Sequence, residues 1–334
     1  MIEKPSNELS ETATAVAART RACAPIVQRH VVRTSLTPFS VDGGEVLVKD
    51  EHLQRSGSFK IRGAVAKLAA LGAAERERGV VAASSGNHGL GVAHALAALG
   101  GRGTVFVPEG ASPVKVAAIE RLGIEVVHQG RESGESERVA REHAERTGAA
   151  YVSPYNDLDV IGGQGTIGLE LAEQAGERGL DAVVVAVGGG GLVSGIAATL
   201  KSLDPRVRII GASPANDAAM AASARAGHVV EIDALPTLSD GTAGSVEPGA
   251  VTVPLCAELV DEWVLVDEAE IAAALRRYID VAHQLVEGAA AVALAAAFRR
   301  VPELAGSRVA VVSCGANISA ATLHRALDPV IGHR

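Results

Sequence analysis

Short runs of β-branched residues alternate with alanine-rich segments along most of this 334-residue chain, and that alternation restricts the fold more than any other feature. The runs cover residues 46–48, 79–82, 103–107, 124–127, 182–187, 207–211 and 309–312. Most are followed by a turn and then by a segment with helical spacing, as at 89–99, 112–122, 191–200 and 271–278. Strands this apolar must be buried on both faces. The pattern therefore predicts an α/β fold built on parallel sheet with helices on either side.

Two strand–helix blocks are separated by the polar stretch Ser153-Pro154-Tyr155-Asn156-Asp157-Leu158-Asp159. We expect a small domain over residues 78–151 and a larger domain made of 1–77 together with 152–334. With 48% hydrophobic residues, the chain has enough apolar material for two cores. A net charge of -8 argues against nucleic acid or an anionic membrane as the main partner. Cys23, Cys256 and Cys314 are odd in number and far apart, which suits reduced thiols in a cytoplasmic protein better than a disulfide framework or a metal site. The start of the chain carries no cationic segment followed by an apolar run, so no signal peptide is expected. No apolar stretch reaches membrane-spanning length before glycine or charge interrupts it.

Four stretches carry chemistry. In Ser56-Gly57-Ser58-Phe59-Lys60, a lysine follows small residues and an aromatic at the start of an amphipathic segment. A lysine that attacks a carbonyl must be desolvated enough to be neutral, and small neighbours let a flat ring approach it, with Phe59 placed to pack beneath. Alone, the same pattern also fits a surface lysine at a helix start. Ser84-Ser85-Gly86-Asn87-His88-Gly89 joins a strand to a helix, where backbone N–H groups and hydroxyls can hold a carboxylate, or where a plain N-cap can sit. Gly188-Gly189-Gly190-Gly191-Leu192 follows the most apolar strand and opens a helix. Consecutive glycines let N–H groups wrap a phosphate at a helix N-terminus, and the absence of a following Gly-Lys-Ser/Thr rules out a Walker loop. Ser313 begins Ser313-Cys314-Gly315-Ala316-Asn317 at the end of another strand, where it can meet a ring nitrogen or cap a helix. By contrast, Gly163-Gln164-Gly165-Thr166-Ile167-Gly168 fits GxGxxG but follows a polar loop. The next strand ends in glycine and not in an acid, so no dinucleotide site is expected there.

With these residues in place, the chain resembles the fold-type II pyridoxal-phosphate enzymes, in the branch of the threonine/serine dehydratases and serine racemases. The resemblance runs from about residue 33 to about residue 327. It rests on the motif from Glu51 to Ala64, on Ser84-Ser85-Gly86-Asn87-His88 and Ala111-Ser112-Pro113-Val114-Lys115, and on Gly163-Gln164-Gly165-Thr166. The glycine run, Asp240-Gly241, Glu287-Gly288-Ala289 and Ser313 complete it. It implies a tryptophan synthase β-like architecture of two open, twisted, mostly parallel sheets flanked by helices, a pyridoxal 5'-phosphate cofactor and a homodimer. It implies Lys60 as the Schiff-base lysine and base at Cα, Phe59 as its ring-packing neighbour and Asn87 as the partner of the ring hydroxyl. Gly188, Gly189, Gly190, Gly191 and Leu192 become the phosphate cup and Ser313 the partner of the pyridine nitrogen. Ser84, Ser85, Gly86, Asn87 and His88 become the clamp for the substrate carboxylate.

The expected reaction is β-elimination from a small β-hydroxy amino acid such as threonine or serine, giving a 2-oxo acid and ammonia. A serine at the pyridine nitrogen leaves that nitrogen neutral, and a moderate electron sink favours loss of a β-substituent. Departures from the family pattern keep other reactions open. Ser85 stands where serine racemases often carry serine, and its hydroxyl would serve as the acid/base on the second face. Racemisation, action on a D-isomer and β-replacement therefore stay open. The stretch from Asp240 to Gly249 is expected to line the substrate pocket and looks closer to relatives associated with hydroxyectoine breakdown or with β-aryl serines such as phenylserine. A modified hydroxy amino acid, 3-hydroxyaspartate included, therefore stays open as substrate, although only 2% of the chain is aromatic. Ser213 occupies the place of a racemase cation ligand, so no metal site is expected. The chain stops at Arg334, so a C-terminal regulatory domain is not expected either.

Overall fold

A computed structural model describes residues 8–41, 44–300, 303 and 306–328. Among them, ten strands form two sheets. The larger sheet has the order β1-β2-β10-β7-β8-β9, built from β1 (Leu36–Val41), β2 (Gly44–Lys49), β7 (Ala182–Ala186), β8 (Arg208–Pro214), β9 (Glu262–Val266) and β10 (Val309–Val312). Only the β1–β2 pair is antiparallel. The smaller sheet is wholly parallel, with order β5-β4-β3-β6, from β3 (Val80–Ala83), β4 (Gly103–Val107), β5 (Glu125–His128) and β6 (Ala150–Tyr151). All seven apolar runs expected as strands are strands. The chain adds β1, β6 and β9, which the sequence pattern did not mark. β1 carries Pro38 and lies at the sheet edge, where a missing N–H costs nothing.

Thirteen α-helices cover these sheets among the described residues. The first group is α1 (Glu11–His30), α2 (Lys60–Ala70), α3 (Ala73–Arg78), α4 (Asn87–Leu99), α5 (Pro113–Glu120) and α6 (Ser133–Thr147). The second is α7 (Leu158–Ala175), α8 (Gly191–Leu203), α9 (Ala219–Ala226), α10 (Thr252–Leu259), α11 (Glu268–Ala282), α12 (Gly288–Arg300) and α13 (Ala320–Leu327). β7 is buried at every position and β10 likewise, because α12 and α8 close over the sheet. The core of the small sheet is not confined to its own segment. Val27 and Val31 from the end of α1 join it, as do Ile61, Ala64, Val65 and Leu68 from α2.

The glycines of the apparent dinucleotide motif lie inside α7 and serve packing. A β-carbon on Gly163 would come within 2.6 Å of the Arg62 carbonyl, and one on Gly165 within 2.2 Å of Thr20 Oγ1. On α8, a β-carbon on Gly195 would meet the Ile161 carbonyl at 2.3 Å. Helices α1, α2, α7 and α8 approach so closely that only hydrogen fits between them. Asp157 starts α7 by accepting from the N–H groups of Asp159 and Val160.

Beside this contact lies a charge cluster with no exposed atoms to speak of. Arg62 pairs with Glu51 at 2.7 Å and with Glu170 at 2.8 Å, and Lys49 pairs with Glu170 at 2.6 Å. Two cations face two anions, so the cluster is neutral, and removing one partner would leave an uncompensated buried charge at a cost of about 3–5 kcal/mol. It ties the ends of β2 and α7 to α2, the helix that Lys60 opens.

Strands β7 and β10 are neighbours, but the chain leaves β7 towards β8 and β9, while β10 adjoins β2 on the other side. The carboxyl ends of β7 and β10 therefore form a topological switch point, the crevice in which open α/β sheets bind ligands.

Candidate active site

The loops that follow β7 and β10 border one cavity. Its wall includes Phe59, Lys60, Asn87, Gly188, Gly189, Gly190, Gly191 and Leu192, all singled out from sequence. Pro154, Tyr155, Gly241, Thr242, Glu287 and Cys314 join them. Ser313, Ser84, Ser85, Gly86 and His88 are not in the wall itself, although Ser313 adjoins Cys314 in the chain, Gly86 and His88 flank Asn87, and Ser84 and Ser85 belong to the same turn.

Lys60 is the first residue of α2. The turn before it is laced to the segment after β10. The Phe59 N–H donates to the Cys314 carbonyl at 3.0 Å, the Ala316 N–H donates to the Gly57 carbonyl at 2.8 Å, and Ser58 bridges Gly315. The lysine amine donates to the Pro154 carbonyl at 2.9 Å and sits 5.3 Å from the centre of the Phe59 ring. Among the described residues no carboxylate forms an ion pair with it. Burial pushes its pKa down to about 8, so a large fraction of the amine is neutral in mildly alkaline solution.

The glycine turn between β7 and α8 is tightly packed against its protein neighbours. A β-carbon would meet the Thr242 carbonyl at 2.8 Å from Gly188, the Tyr155 ring at 2.4 Å from Gly189 and Cys256 Sγ at 2.9 Å from Gly190. Gly190 also has φ +85°, a left-handed conformation that glycine adopts without strain. The first N–H groups of α8 lack helical acceptors and face the cavity end of the helix, with the positive pole of the helix dipole behind them. Tyr155 is fixed above the turn because its hydroxyl accepts from the Glu247 N–H at 2.9 Å.

Asn87 opens α4, and its Nδ2 donates to Glu287 Oε1 at 2.7 Å. Glu287 immediately precedes α12 and is buried. Burial raises its pKa to about 7, against the lowering effect of the Asn87 hydrogen bond. Cys314 is buried as well, and its thiol is pushed well above the ordinary range, which keeps it protonated. Ser313 directly follows β10 with its side chain fully buried, and its hydroxyl oxygen has no partner among the described residues. The His88 imidazole donates to the Val152 carbonyl at 2.8 Å. Burial pushes its pKa down to about 3, so the ring is neutral. Ser84 accepts from the Gly86 N–H at 3.0 Å, and Ser85 is half-buried in the same turn.

These features fit pyridoxal phosphate. The glycine turn is a cup that any side chain would fill, the Ser313 hydroxyl is an orphan donor, the Lys60 amine is desolvated, and Asn87 offers an amide N–H. Thr242 lies in the stretch expected to line the substrate pocket, whereas Tyr155, Cys314 and Asn317 also belong to the site's surroundings but had no assigned role in the sequence reading. Their stretches were visible as turns, yet nothing in a turn reveals what it faces. At the place of the missing cation ligand, Ser213 donates to the Val187 carbonyl at 3.0 Å, and Asp217 accepts from the Gly244 N–H at 2.8 Å.

Residues 27–315 match the model of the pyridoxal-phosphate dependent enzyme family, and the chain belongs to that family. It is 42% identical over 303 residues to an L-threonine ammonia-lyase of Thermotoga maritima, covering 91% of this chain and 75% of the relative. The processed form of threonine deaminase isoform 2 from Solanum lycopersicum superposes with a TM-score of 0.91 at 32% identity, over 100% of this chain and 97% of that one. Maize serine racemase superposes with a TM-score of 0.84 at 30% identity, over 93% and 96%. The two sheets are thus those of the fold-type II enzymes, and the cofactor of the family is pyridoxal phosphate.

Proposed function

We propose that this chain is an ammonia-lyase that removes ammonia from a small β-hydroxy amino acid, threonine or serine, by losing water and taking it up again, and leaves a 2-oxo acid. One observation supports the reading most: a desolvated lysine amine, a glycine cup and an amide donor converge on one cavity. The similarity to an L-threonine ammonia-lyase over 91% of the chain points to the same reaction.

In this reading Lys60 carries the cofactor, Phe59 packs against its ring, and Asn87 donates to its ring oxygen. The backbone of Gly188, Gly189, Gly190, Gly191 and Leu192 holds the phosphate, and Ser313 donates its hydroxyl to the pyridine nitrogen. A serine hydroxyl is far too weak an acid to protonate that nitrogen. The cofactor, when bound, supplies the electron sink that lets a proton leave Cα. Lys60 takes that proton on Nζ, which requires the neutral amine that burial favours. The turn of Ser84, Ser85, Gly86, Asn87 and His88 holds the substrate carboxylate. His88 contributes only its backbone N–H, because its ring is committed to Val152. The β-hydroxyl departs with a proton as water, and the released enamine takes up water to give the 2-oxo acid and ammonia.

A second reading, racemisation, draws on the similarity to maize serine racemase and on the half-buried Ser85 beside Asn87. There Ser85 returns a proton to the other face of Cα. We place the protein in the cytoplasm, in keeping with its three free thiols, Cys23, Cys256 and Cys314. We also propose a homodimer. Leu53 and Leu285 are 53% and 42% exposed, and they flank the His52–Gln284 hydrogen bond, which puts an apolar patch on one face. Incubation of the holoenzyme with L-serine, D-serine, L-threonine, 3-hydroxyaspartate and phenylserine tests the reading. Release of a 2-oxo acid supports elimination, and accumulation of the opposite enantiomer without oxo acid overturns it in favour of racemisation.

A further inference from the structure

Asn87, Glu287 and Asn317 come from three distant parts of the chain and close a ring of hydrogen bonds at the cavity. Asn87 Nδ2 donates to Glu287 Oε1 at 2.7 Å. The backbone N–H of Asn317 donates to Glu287 Oε2 at 3.1 Å. Asn317 Nδ2 donates to Asn87 Oδ1 at 2.7 Å and to the Ser56 carbonyl at 2.9 Å. The carboxylate thus takes one donor on each oxygen, and both N–H groups of the Asn317 amide are used.

The ring is closely caged. A β-carbon on Gly315 would lie 2.5 Å from Glu287 Oε1, and one on Gly57 would lie 2.5 Å from Asn317 Oδ1. Gly57 belongs to the turn that leads to Lys60, so the ring also links Asn87 to the lysine loop. Inside it, the amide of Asn87 has one polarity only. Turning it over would set Oδ1 against the Glu287 carboxylate and Nδ2 against the Asn317 amide N–H groups, two repulsive contacts in place of two hydrogen bonds. Its carbonyl is consumed, one N–H is consumed, and one N–H is left on a residue that lines the cavity.

We propose that Glu287 and Asn317 are positioning residues that hold the Asn87 amide with an N–H, and not its carbonyl, presented to the cavity, so that the part of the cofactor facing Asn87 is an acceptor oxygen. The proposal rests on the reading of Asn87 as a cofactor contact. Neither Glu287 nor Asn317 needs to touch the cofactor. Their influence on it passes through Asn87, and that separates positioning from general support of the fold.

A double-mutant cycle tests this, read as the dissociation constant of pyridoxal phosphate from the apoprotein and as the position of the bound cofactor's visible absorption band. Asn87→Ala and Glu287→Gln should each weaken binding about tenfold or more and shift the band, as loss of a hydrogen bond to a charged group does. In the Asn87→Ala background, Glu287→Gln should add less than about twofold and leave the band where it is. Losses that multiply in the double variant, or a band that moves again, would overturn the proposal and leave Glu287 a structural role. An unchanged band and affinity in Asn87→Ala alone would instead remove the cofactor contact itself, and the proposal with it. If Glu287→Gln does not fold, Asn317→Ser completes the same cycle, because it keeps the carboxylate and removes the donor to Asn87 Oδ1.

Discussion

The amine of Lys60 rests 2.9 Å from the carbonyl oxygen of Pro154, a neutral acceptor that orients the amine without fixing a charge on it. A carboxylate in that place would favour the ammonium form and hold the lysine protonated. With only a carbonyl as partner, burial dominates and brings the pKa down to about 8.

The first prediction follows from that arrangement. Only the neutral amine attacks an aldehyde, so the rate at which the apoprotein takes up pyridoxal phosphate should rise with pH and level off above about 8. Borohydride reduction of the holoenzyme followed by peptide mapping should find the label on Lys60. A label on another lysine would contradict the assignment.

The Tyr155 ring and Gly189 give a second prediction. Gly189→Ala drives a β-carbon to within 2.4 Å of the ring, and the ring cannot retreat freely because its hydroxyl accepts from Glu247. The cup should distort at a cost of about 1–3 kcal/mol, seen as a pyridoxal phosphate dissociation constant raised about tenfold or more. Equilibrium titration of the apoprotein measures it.

Ser313 gives a third. Its hydroxyl is buried and unpaired by protein, so Ser313→Ala should leave the apoprotein equally stable or more stable by about 1 kcal/mol. The same change should weaken cofactor binding and shift the absorption of the holoenzyme. Thermal unfolding of both forms separates the two effects. Destabilised apoprotein with unaltered cofactor affinity would make Ser313 a structural residue.

Glu287 gives a fourth, concerning pH. Its folded-state pKa is raised from an ordinary 4.5 to about 7, so the folded apoprotein holds this proton more tightly than the unfolded chain does. The contribution to stability is therefore fully present below about 4.5 and lost as pH rises through about 7, about 3 kcal/mol in all. Denaturant unfolding of the apoprotein at pH 5 and at pH 8 should show the fall. Glu287→Gln, which cannot ionise, should flatten it.

Much of the fold was legible from periodicity because β7, β10 and β4 are apolar runs bounded by turns. β1 escaped notice because Pro38 interrupts it. β9 escaped because Glu262 and Leu265 keep partly exposed positions in a strand at the other sheet edge. Helix α7 was hidden for a different reason. Its glycines argue against a helix by intrinsic propensity, and only the close approach of α1, α2 and α8 explains them. At the site, Lys60 and Gly188 to Gly191 could be read because each sits within a local motif. The ring of Asn87, Glu287 and Asn317 could not, since its members stand 200 and 30 residues apart and only the folded chain brings them together. His88 shows the converse. It lies within a readable motif, but the direction of its imidazole depends on Val152 in another loop.

The account stands most directly on product formation from L-threonine by holoenzyme and by Lys60→Ala measured side by side. It predicts 2-oxobutanoate and ammonia in equal amounts from the holoenzyme and neither above background from the variant. A cofactor-loaded enzyme that yields no oxo acid from threonine or serine, or a Lys60→Ala variant that yields as much as the parent, would contradict it.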